Sequence, residues 1–391
     1  MAKKRTSTKS DKTNNKKKGK KRAGTVTAVI ITIALLAGSA VSVAYLVNRG
    51  QNAILNQTGD ITATEAVESS TGHTLSEQDM PALTSDDNTD GYLDGAVYIW
   101  SNKGFEAFKG SVTDAKAYAE SINNYKKALG ENYKVYNAVI PTSTEITLPE
   151  RLSKTFSNNQ RENISTIFST LSMEVTPVDV YNTLGQKRNE NLYYNTDKYW
   201  TQFGAYYGYT EIAKSLGVNI TDIKDLNSIT LENSFLGSHI TSTISKETTN
   251  GNPKLINNPD TVTYYDLPET VTVQALPKGN ESLQDISYYN ADLENGASPS
   301  DIYNTSDCAY TVLTNSAITE GKIAVVTDKF GYALAPFLIT NYNQVHLIDI
   351  DNFERNLKNY LEDNEITTVI YINGIMSANT AAKTSKTDAM F

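Results

Sequence analysis

The segment KIAVVTDKFGYALAPF, residues 322–337, indicates the fold of this chain. The residues after Lys322 are small or β-branched and apolar, which is typical of a buried strand. A polar turn follows at residues 327–331, and a helix is predicted to begin near Tyr332. In an open α/β sheet, a turn at the carboxyl end of a strand is where a nucleophile is usually presented. Here the turn presents Asp328 and Lys329.

A second segment, TDKYWTQFGAYYGY at residues 196–209, is rich in aromatic side chains. Asp197 precedes a helix that we predict over residues 201–216. We expect the buried side of this helix to consist of Phe203, Tyr206, Tyr207, Ala213 and Leu216. We also expect this segment to meet residues 322–337 in space.

The rest of the chain alternates predicted strands and helices. An amphipathic helix over residues 114–129 places six side chains on one face: Ala115, Tyr118, Ala119, Ile122, Tyr125 and Leu129. Strands are predicted at residues 95–100, 133–140, 173–180, 323–326, 345–348 and 368–372. This alternation predicts an α/β fold with a mainly parallel sheet covered by helices. The pattern breaks at residues 218–299, which we predict to be a β-rich insertion, and the polar tail 378–391 is predicted to fray.

The N-terminal region predicts a membrane anchor. Residues 1–23 hold eleven Lys/Arg and one Asp, a net charge of +10, so the remainder of a chain with net charge −9 carries −19. Residues 25–47 contain no charge, and about 20 apolar residues suffice to span a bilayer. The basic tail 1–24 should stay cytoplasmic, which places everything after the span outside the cytoplasm in a single-pass cell-membrane protein. A signal peptide cleaved near Ala44 is the alternative.

Composition narrows the partners of the chain. The polar, acidic stretch 48–94 predicts a flexible stalk. The basic tail 1–24 is expected to touch anionic lipid headgroups. For this tail, a nucleic-acid-binding arm is the less favoured alternative. Cys308 is the single cysteine, so no intrachain disulfide can form. We find no HExxH pattern and no glycine-rich phosphate loop, and we therefore expect no metal, no cofactor and no nucleotide substrate.

The two segments resemble the DHHW-motif proteins, membrane-anchored SGNH-hydrolase-like proteins of Gram-positive bacteria related to the alginate O-acetyltransferases. The family pattern TDHHWT followed by GAYYAY corresponds here to residues 196–201 and 204–209. The family's KDSY-type nucleophile turn and PFL segment correspond to residues 327–330 and 336–338. The resemblance covers residues 98–373 and implies a three-layer, SGNH-hydrolase-like domain over residues 95–377.

The resemblance implies a Ser-His-Asp site for acyl transfer, which needs a nucleophile, a base and a group that orients the base. Position by position, Asp197 is retained, Tyr199 stands at the base position and Lys329 at the nucleophile position. A tyrosine with a pKa near 10 is a poor general base, and an acylated lysine is an amide that does not turn over as an ester does. We therefore interpret the family triad as lost. The favoured interpretation of Asp197 and Lys329 is a structural ion pair; a role of the pair in binding an anionic or polyol ligand and a residual catalytic role are the alternatives.

Three functions stay open from the sequence. The favoured one is a degenerate binding or accessory protein in acylation or assembly of cell-wall or capsular polysaccharide, acting beside a membrane-bound O-acyltransferase. The second is an active O-acetyltransferase or esterase with another nucleophile, such as Thr327 or Ser143. The third is an adhesion or protein-interaction module. The predicted binding residues are Ser143, Asp197, Trp200, Tyr206, Asp328 and Lys329. The tyrosines near the first segment suit either sugar stacking or packing.

Overall fold

A computed structural model describes residues 72–246 and 250–391 of the chain. The chain divides into two units, Met1–Ser69 and Ser70–Phe391, and the first unit lies outside the described residues. The predicted basic tail and membrane span therefore also lie outside them. Within the described ranges, no helix is both long and apolar enough to cross a membrane.

Strands and helices occur through most of the described residues, from Tyr92 to Asp388. The strands are β1 Tyr92–Asp94, β2 Val97–Trp100, β3 Lys103–Glu106, β4 Lys134–Ile140, β5 Val175–Val178, β6 Ser228–Thr230, β7 Thr263–Tyr265, β8 Val271–Pro277, β9 Gln284–Asp285, β10 Cys308–Asn315, β11 Lys322–Thr327, β12 Gln344–Asp349 and β13 Thr368–Gly374. The α-helices are α1 Val112–Leu129, α2 Ser143–Ile146, α3 Glu150–Ser153, α4 Gln160–Thr170, α5 Val180–Gln186, α6 Gln202–Leu216, α7 Ser238–Thr241, α8 Pro253–Ile256, α9 Ala335–Leu338, α10 Leu357–Asp363, α11 Ile375–Ala378 and α12 Ala381–Asp388.

An eight-stranded sheet forms the core of the domain, in the order β5-β4-β13-β11-β12-β10-β8-β9. The pairs from β5 to β12 are parallel, whereas β10, β8 and β9 continue the sheet with antiparallel pairs. The predicted α/β fold with a large sheet is confirmed, and the sheet is mixed. Thr327 of β11 lies opposite Ile372 of β13 and Asp349 of β12, so the carboxyl ends of these strands share one edge.

Strands from two regions, the predicted insertion and the start of the domain, join different sheets from those expected. Strands β8 and β9 lie inside the predicted insertion 218–299, yet they join the main sheet beside β10. Only β6 and β7 form a separate two-stranded sheet there, among the described residues. The strand predicted at the start of the domain, β2, belongs to a separate antiparallel sheet with β1 and β3. Local patterns identified these strands, but partner choice depends on contacts distant in sequence.

Residues 72–91, which we call the strap, correct the predicted extent of the flexible stalk. The strap has little regular structure, but Leu75 is buried in the main core. Side chains of the domain hold its backbone carbonyls: Arg161 donates to Ser76 at 2.7 Å, and Gln186 donates to Asp79 at 2.6 Å. Because its anchors are carbonyl groups, a polar sequence can lie packed here without an apolar pattern.

The C-terminal residues 378–391 also depart from the prediction of a frayed tail. They form α12, and Met390 is buried. The Met390 carbonyl accepts a hydrogen bond from the Leu357 amide at 2.6 Å, and the Phe391 ring lies 3.7 Å from the Tyr125 ring centroid. The tail therefore closes over α1 and the start of α10.

Helix α1 confirms the predicted face, because all six predicted side chains are buried. Helix α6 was predicted with the right extent, but of its predicted buried side only Ala213 is fully buried. Its buried residues include Gly204, Ala205 and Gly208, while Phe203 and Tyr206 are half-buried. A Cβ at Gly204 would lie 2.2 Å from the Leu192 carbonyl oxygen, so this face approaches its neighbours too closely for larger side chains.

Candidate functional site

The turn after β11 is fixed by buried hydrogen bonds. The Thr327 hydroxyl lies 2.5 Å from the Ile372 carbonyl oxygen and accepts from the Gly331 amide at 3.0 Å. A Cβ on Gly331 would come within 2.4 Å of that hydroxyl oxygen, which explains the glycine. Thr327 has no exposed surface, so its hydroxyl holds the turn and is closed to solvent.

The Asp328 carboxylate ties the same turn to the end of β13. It accepts hydrogen bonds from the Phe330 and Gly374 amides, each at 3.0 Å, and the Asn373 side chain accepts from the Asp328 amide at 3.2 Å. Burial raises the pKa of Asp328, and hydrogen bonds from Ser377, Phe330 and Gly374 oppose that rise. Asp328 therefore acts mainly within the protein, and a role in ligand binding stays a prediction.

The two segments singled out in the sequence meet at Phe330. The indole of Trp200 is buried and donates to the Phe330 carbonyl at 3.0 Å. The Phe330 ring lies edge-on to both motif aromatic side chains, with centroids 5.6 Å from Trp200 and 5.1 Å from Tyr199. The prediction that these segments come together is confirmed. Trp200 therefore holds the turn with a ring that is 2% exposed, and its role in ligand binding stays a prediction.

The Asp197 carboxylate is fully buried and surrounded by donors. One oxygen accepts from the Lys198 amide at 2.7 Å and from the Ser238 hydroxyl at 2.9 Å. The other accepts from the Ser298 hydroxyl at 2.6 Å and from the Ser238 amide at 3.3 Å. These four bonds fill the carboxylate without a contribution from a base side chain.

Tyr199, at the family's base position, is half-buried beside Lys198, whose ammonium nitrogen lies 5.4 Å from the ring centroid. Burial raises the pKa of the Tyr199 hydroxyl well above its ordinary value, and the charges of Asp328 and Asp197 raise it further. Among the described residues, this hydroxyl has no hydrogen-bond partner. It therefore stays protonated at neutral pH and cannot accept a proton from a nucleophile.

Lys329 is half-buried, and the expected ion pair with Asp197 does not form within the described part of the chain. The Asp197 carboxylate is occupied by serine and amide donors instead. The Lys329 charge acts on Asp301: burial raises the pKa of Asp301, and the Lys329 charge opposes that rise. We call Asp197, Tyr199, Asp328, Lys329 and their contacts the motif site.

The other predicted binding residues lie apart from these groups. Tyr206 packs 5.4 Å from the Phe337 ring, and its hydroxyl donates to the Thr221 carbonyl at 3.3 Å. Ser143 is buried at the start of α2, after β4. Neither side chain has a recorded contact with the motif site, and their binding roles stay predictions.

The predicted insertion supplies residues to the motif site that sequence reasoning missed. Ser238 and Ser298 bind Asp197, and Asp260 accepts from the Thr196 amide at 2.8 Å and from its hydroxyl at 2.5 Å. Burial raises the pKa of Asp260, against the hydrogen bonds from Thr196 and Asn195. Ser238 begins the single-turn helix α7, and Asp260 and Ser298 lie in irregular segments; all three are 41 to 101 residues from their partners in the motif, where no local periodicity marks them.

His239 lies behind the motif site and is 1% exposed. Neither ring nitrogen has a hydrogen-bond partner among the described residues. Burial lowers the pKa of His239, and the charges of Glu106 and Asp197 oppose this. The imidazole is therefore a neutral group inside the protein. In the described ranges no cluster of three or more His, Cys, Asp or Glu is placed to hold a metal ion.

Together the fold and the site define an α/β protein whose tryptophan motif supports a turn at the carboxyl edge of the sheet. The DHHW protein family profile matches residues 74–348, and the chain belongs to this family. A crystal structure of a DHHW family protein from Eubacterium siraeum is similar, with 24% identity, a TM-score of 0.67 and coverage of 78% of this chain and 98% of that one.

Bacillus cereus PatB1 is also similar in fold, with 19% identity, a TM-score of 0.60 and coverage of 74% of this chain and 99% of PatB1. A second PatB1 structure, which carries a sulfonyl adduct, gives 20% identity and a TM-score of 0.59 over 74% of this chain and 96% of that one. No curated protein matches the sequence.

Proposed function

We propose that this chain is a catalytically degenerate DHHW protein that binds or assists in cell-envelope polysaccharide acylation or assembly and does not turn over acyl esters. One observation carries the proposal: the position of the family's base holds Tyr199, a half-buried phenol whose pKa is raised by burial next to two carboxylates. A group in that state cannot serve as the general base that acyl transfer needs.

The remaining positions support the same conclusion. Lys329 replaces the nucleophile, and acyl transfer to an amine would leave a stable amide on the protein. Asp197, which would orient the base, has both oxygens engaged by Lys198, Ser238 and Ser298. The retained fold and the rigid turn therefore offer a platform without a complete nucleophile-base pair.

The cellular setting in this proposal comes from the sequence. A cytoplasmic basic tail, a span at residues 25–47 and an extracytoplasmic domain place the protein at the outer face of the cell membrane, with the tail touching lipid headgroups. Cell-wall or capsular polysaccharide is then the accessible polymer, and a membrane-bound O-acyltransferase is the partner that the family relation to O-acetyltransferases suggests.

An ester-hydrolysis assay on the full chain in detergent tests the loss of catalysis. Wild type is compared with Tyr199→His/Lys329→Ser, which restores the family's base and nucleophile, and with Tyr199→His/Lys329→Ala, which restores the base alone. We expect no turnover of an acetyl ester by wild type or by the alanine control, and slow turnover by the serine variant, because general acid-base help contributes about 10²–10⁴-fold.

Hydrolysis by wild type that Asp197→Ala abolishes would overturn the proposal, since the site would then catalyse with other residues. Covalent labelling of wild type by a serine-reactive fluorophosphonate would count against it in the same way. The buried hydroxyl of Thr327, which already binds the Ile372 carbonyl, gives a specific reason to expect no label there.

A further inference from the structure

A cavity of about 850 Å³ lies under the strap, and no motif-site residue lines it. One wall is the strap itself at residues 77–80. The other walls come from α3, from the loop that leads into α4, and from Tyr181 and Arg188 in and just after α5. The volume falls within the range of about 300–1,000 Å³ that is usual for small-molecule sites.

The chemistry of the lining is polar and of mixed charge. Four carboxylates (Glu77, Asp79, Glu145 and Glu150) face three cationic side chains (Lys154, Arg161 and Arg188), with asparagine, glutamine and serine side chains between them. Apolar surface comes from Met80 and Tyr181. Ligand pockets are usually lined mainly by apolar side chains, so this cavity suits a ligand that is itself rich in donors and acceptors.

The charges inside the cavity disfavour an anionic ligand. Glu145 already provides a carboxyl group near the N-terminus of α4; burial raises its pKa, and hydrogen bonds from the Tyr181 hydroxyl and from the Gln160 and Arg161 amides oppose that rise. It accepts a hydrogen bond from the Tyr181 hydroxyl at 2.7 Å. Arg161 donates a hydrogen bond to the Ser76 carbonyl at 2.7 Å, and Arg188 donates one to the Ile146 carbonyl at 2.8 Å. The cationic groups are thus already partly satisfied by the protein.

The strap leaves acceptors free at the mouth of the cavity. The side chains of Glu77, Gln78 and Asp79 are exposed and make no hydrogen bond or ion pair with other described residues. Their backbone is nevertheless held, because Gln186 donates to the Asp79 carbonyl. The fixed backbone lowers the entropy cost of ordering the strap when a ligand binds, whereas each side chain that binds the ligand still loses rotamer freedom.

We propose that this cavity binds a short segment of a neutral, hydroxyl-rich glycan, with the strap carboxylates and the α3–α4 side chains as hydrogen-bonding partners. The inference deepens the proposed function and rests on it for a polysaccharide partner, but it places the contact away from the motif site. The chain would then hold its polymer through a site that needs no catalytic residue.

Isothermal titration of the full chain in detergent tests this site with three probes: chitotetraose, maltotetraose and the acidic tetragalacturonate. Ser153→Trp fills the cavity without changing its charge, and Glu77→Ala/Asp79→Ala removes the free acceptors. The matched control is Glu120→Ala/Glu131→Ala, which removes two exposed acids on and just after α1. Circular dichroism checks that each variant is folded, and the two cavity variants act by different means.

We expect a neutral tetrasaccharide to bind wild type, with affinity reduced about tenfold or more by each cavity variant and less than about twofold by the control. The inference is overturned if neither neutral probe binds, if the acidic probe binds more tightly, or if Lys329→Ala weakens binding while the cavity variants do not. Each of these outcomes leaves the ester assay unaffected, so loss of catalysis is judged separately.

Discussion

At the level of single residues, Asp197 keeps the family's carboxylate but serves the structure. Its four donors come from the motif itself, from α7 and from the irregular segment before the 3₁₀ turn at Pro299–Ile302. A buried carboxylate with this many hydrogen bonds stabilises the segments that supply them. In this chain Asp197 joins the predicted insertion to the motif segment.

Asp197→Asn tests this structural role. An amide presents donor hydrogens where one carboxylate oxygen accepted bonds, so we expect the free energy of unfolding to fall by about 1–3 kcal/mol. Asp363→Asn changes an exposed carboxylate that has no hydrogen bond to any described residue, and it should change the free energy of unfolding by less than about 0.5 kcal/mol. Urea unfolding followed by tryptophan fluorescence measures both. Equal stability of wild type and Asp197→Asn would contradict the role.

The residues of the site were only partly predictable from sequence. The motif and the turn could be placed because each lies beside a strand or helix with a clear pattern. Ser298 and Asp260 could not, since each reaches the motif from an irregular segment more than 60 residues away. The predicted ion pair between Asp197 and Lys329 was wrong for the same reason. Ser238 and Ser298 bind the Asp197 carboxylate instead, and their distance along the chain gives no sign of that contact.

At the level of elements, prediction followed the clarity of the side-chain pattern. Helix α1 repeats apolar residues at helical spacing, and its buried face was predicted correctly. In α6 the spacing of the aromatic residues predicted the buried side. The helix instead buries the side that carries Gly204 and Gly208, because neighbouring groups approach its backbone there too closely for larger side chains. The strap and the tail were missed because single buried side chains and backbone carbonyls anchor much of them, and neither gives a periodic pattern in the sequence.

The start of α6 offers a prediction at this scale. The Thr201 hydroxyl accepts from the Gly204 amide at 3.0 Å and donates to the Asn191 carbonyl at 2.7 Å. Thr201→Ala should lower the free energy of unfolding by about 2 kcal/mol, because it removes both the helix cap and the hydrogen bond to the Asn191 carbonyl. Thr201→Ser keeps both bonds and should cost less than about 1 kcal/mol. Thermal unfolding of the two variants in parallel decides this, and equal losses would show that the methyl group matters more than the cap.

For the whole molecule, buried ionisable groups make stability depend on pH in opposite directions. Burial and, to a smaller extent, the charge of Lys322 together lower the pKa of His346 from 6.5 to about 4. Between about pH 6.5 and 4, His346 is therefore protonated in the unfolded chain but neutral in the folded chain. The stability that the neutral, buried His346 contributes is lost as pH falls through this range. Buried carboxyl groups such as Asp260 and Asp349, with raised pKa values, lose their contribution as pH rises. The contribution of His346 to the pH dependence of stability can be separated from that of the carboxyl groups by comparing variants.

His346→Asn removes the titrating ring, and Tyr360→Phe removes its 2.8 Å hydrogen-bond partner while keeping the ring. Both should destabilise the protein at pH 7.5. Between pH 7.5 and 4.5, the gap between wild type and His346→Asn should narrow by up to about 3 kcal/mol, because one pKa unit corresponds to about 1.4 kcal/mol. The Tyr360→Phe curve should instead stay parallel to wild type. Urea unfolding at half-unit pH steps measures the three curves. Parallel curves for wild type and His346→Asn would mean that the folded protein accepts the proton, and that solvent or a nearby carboxylate reaches β12 despite its burial.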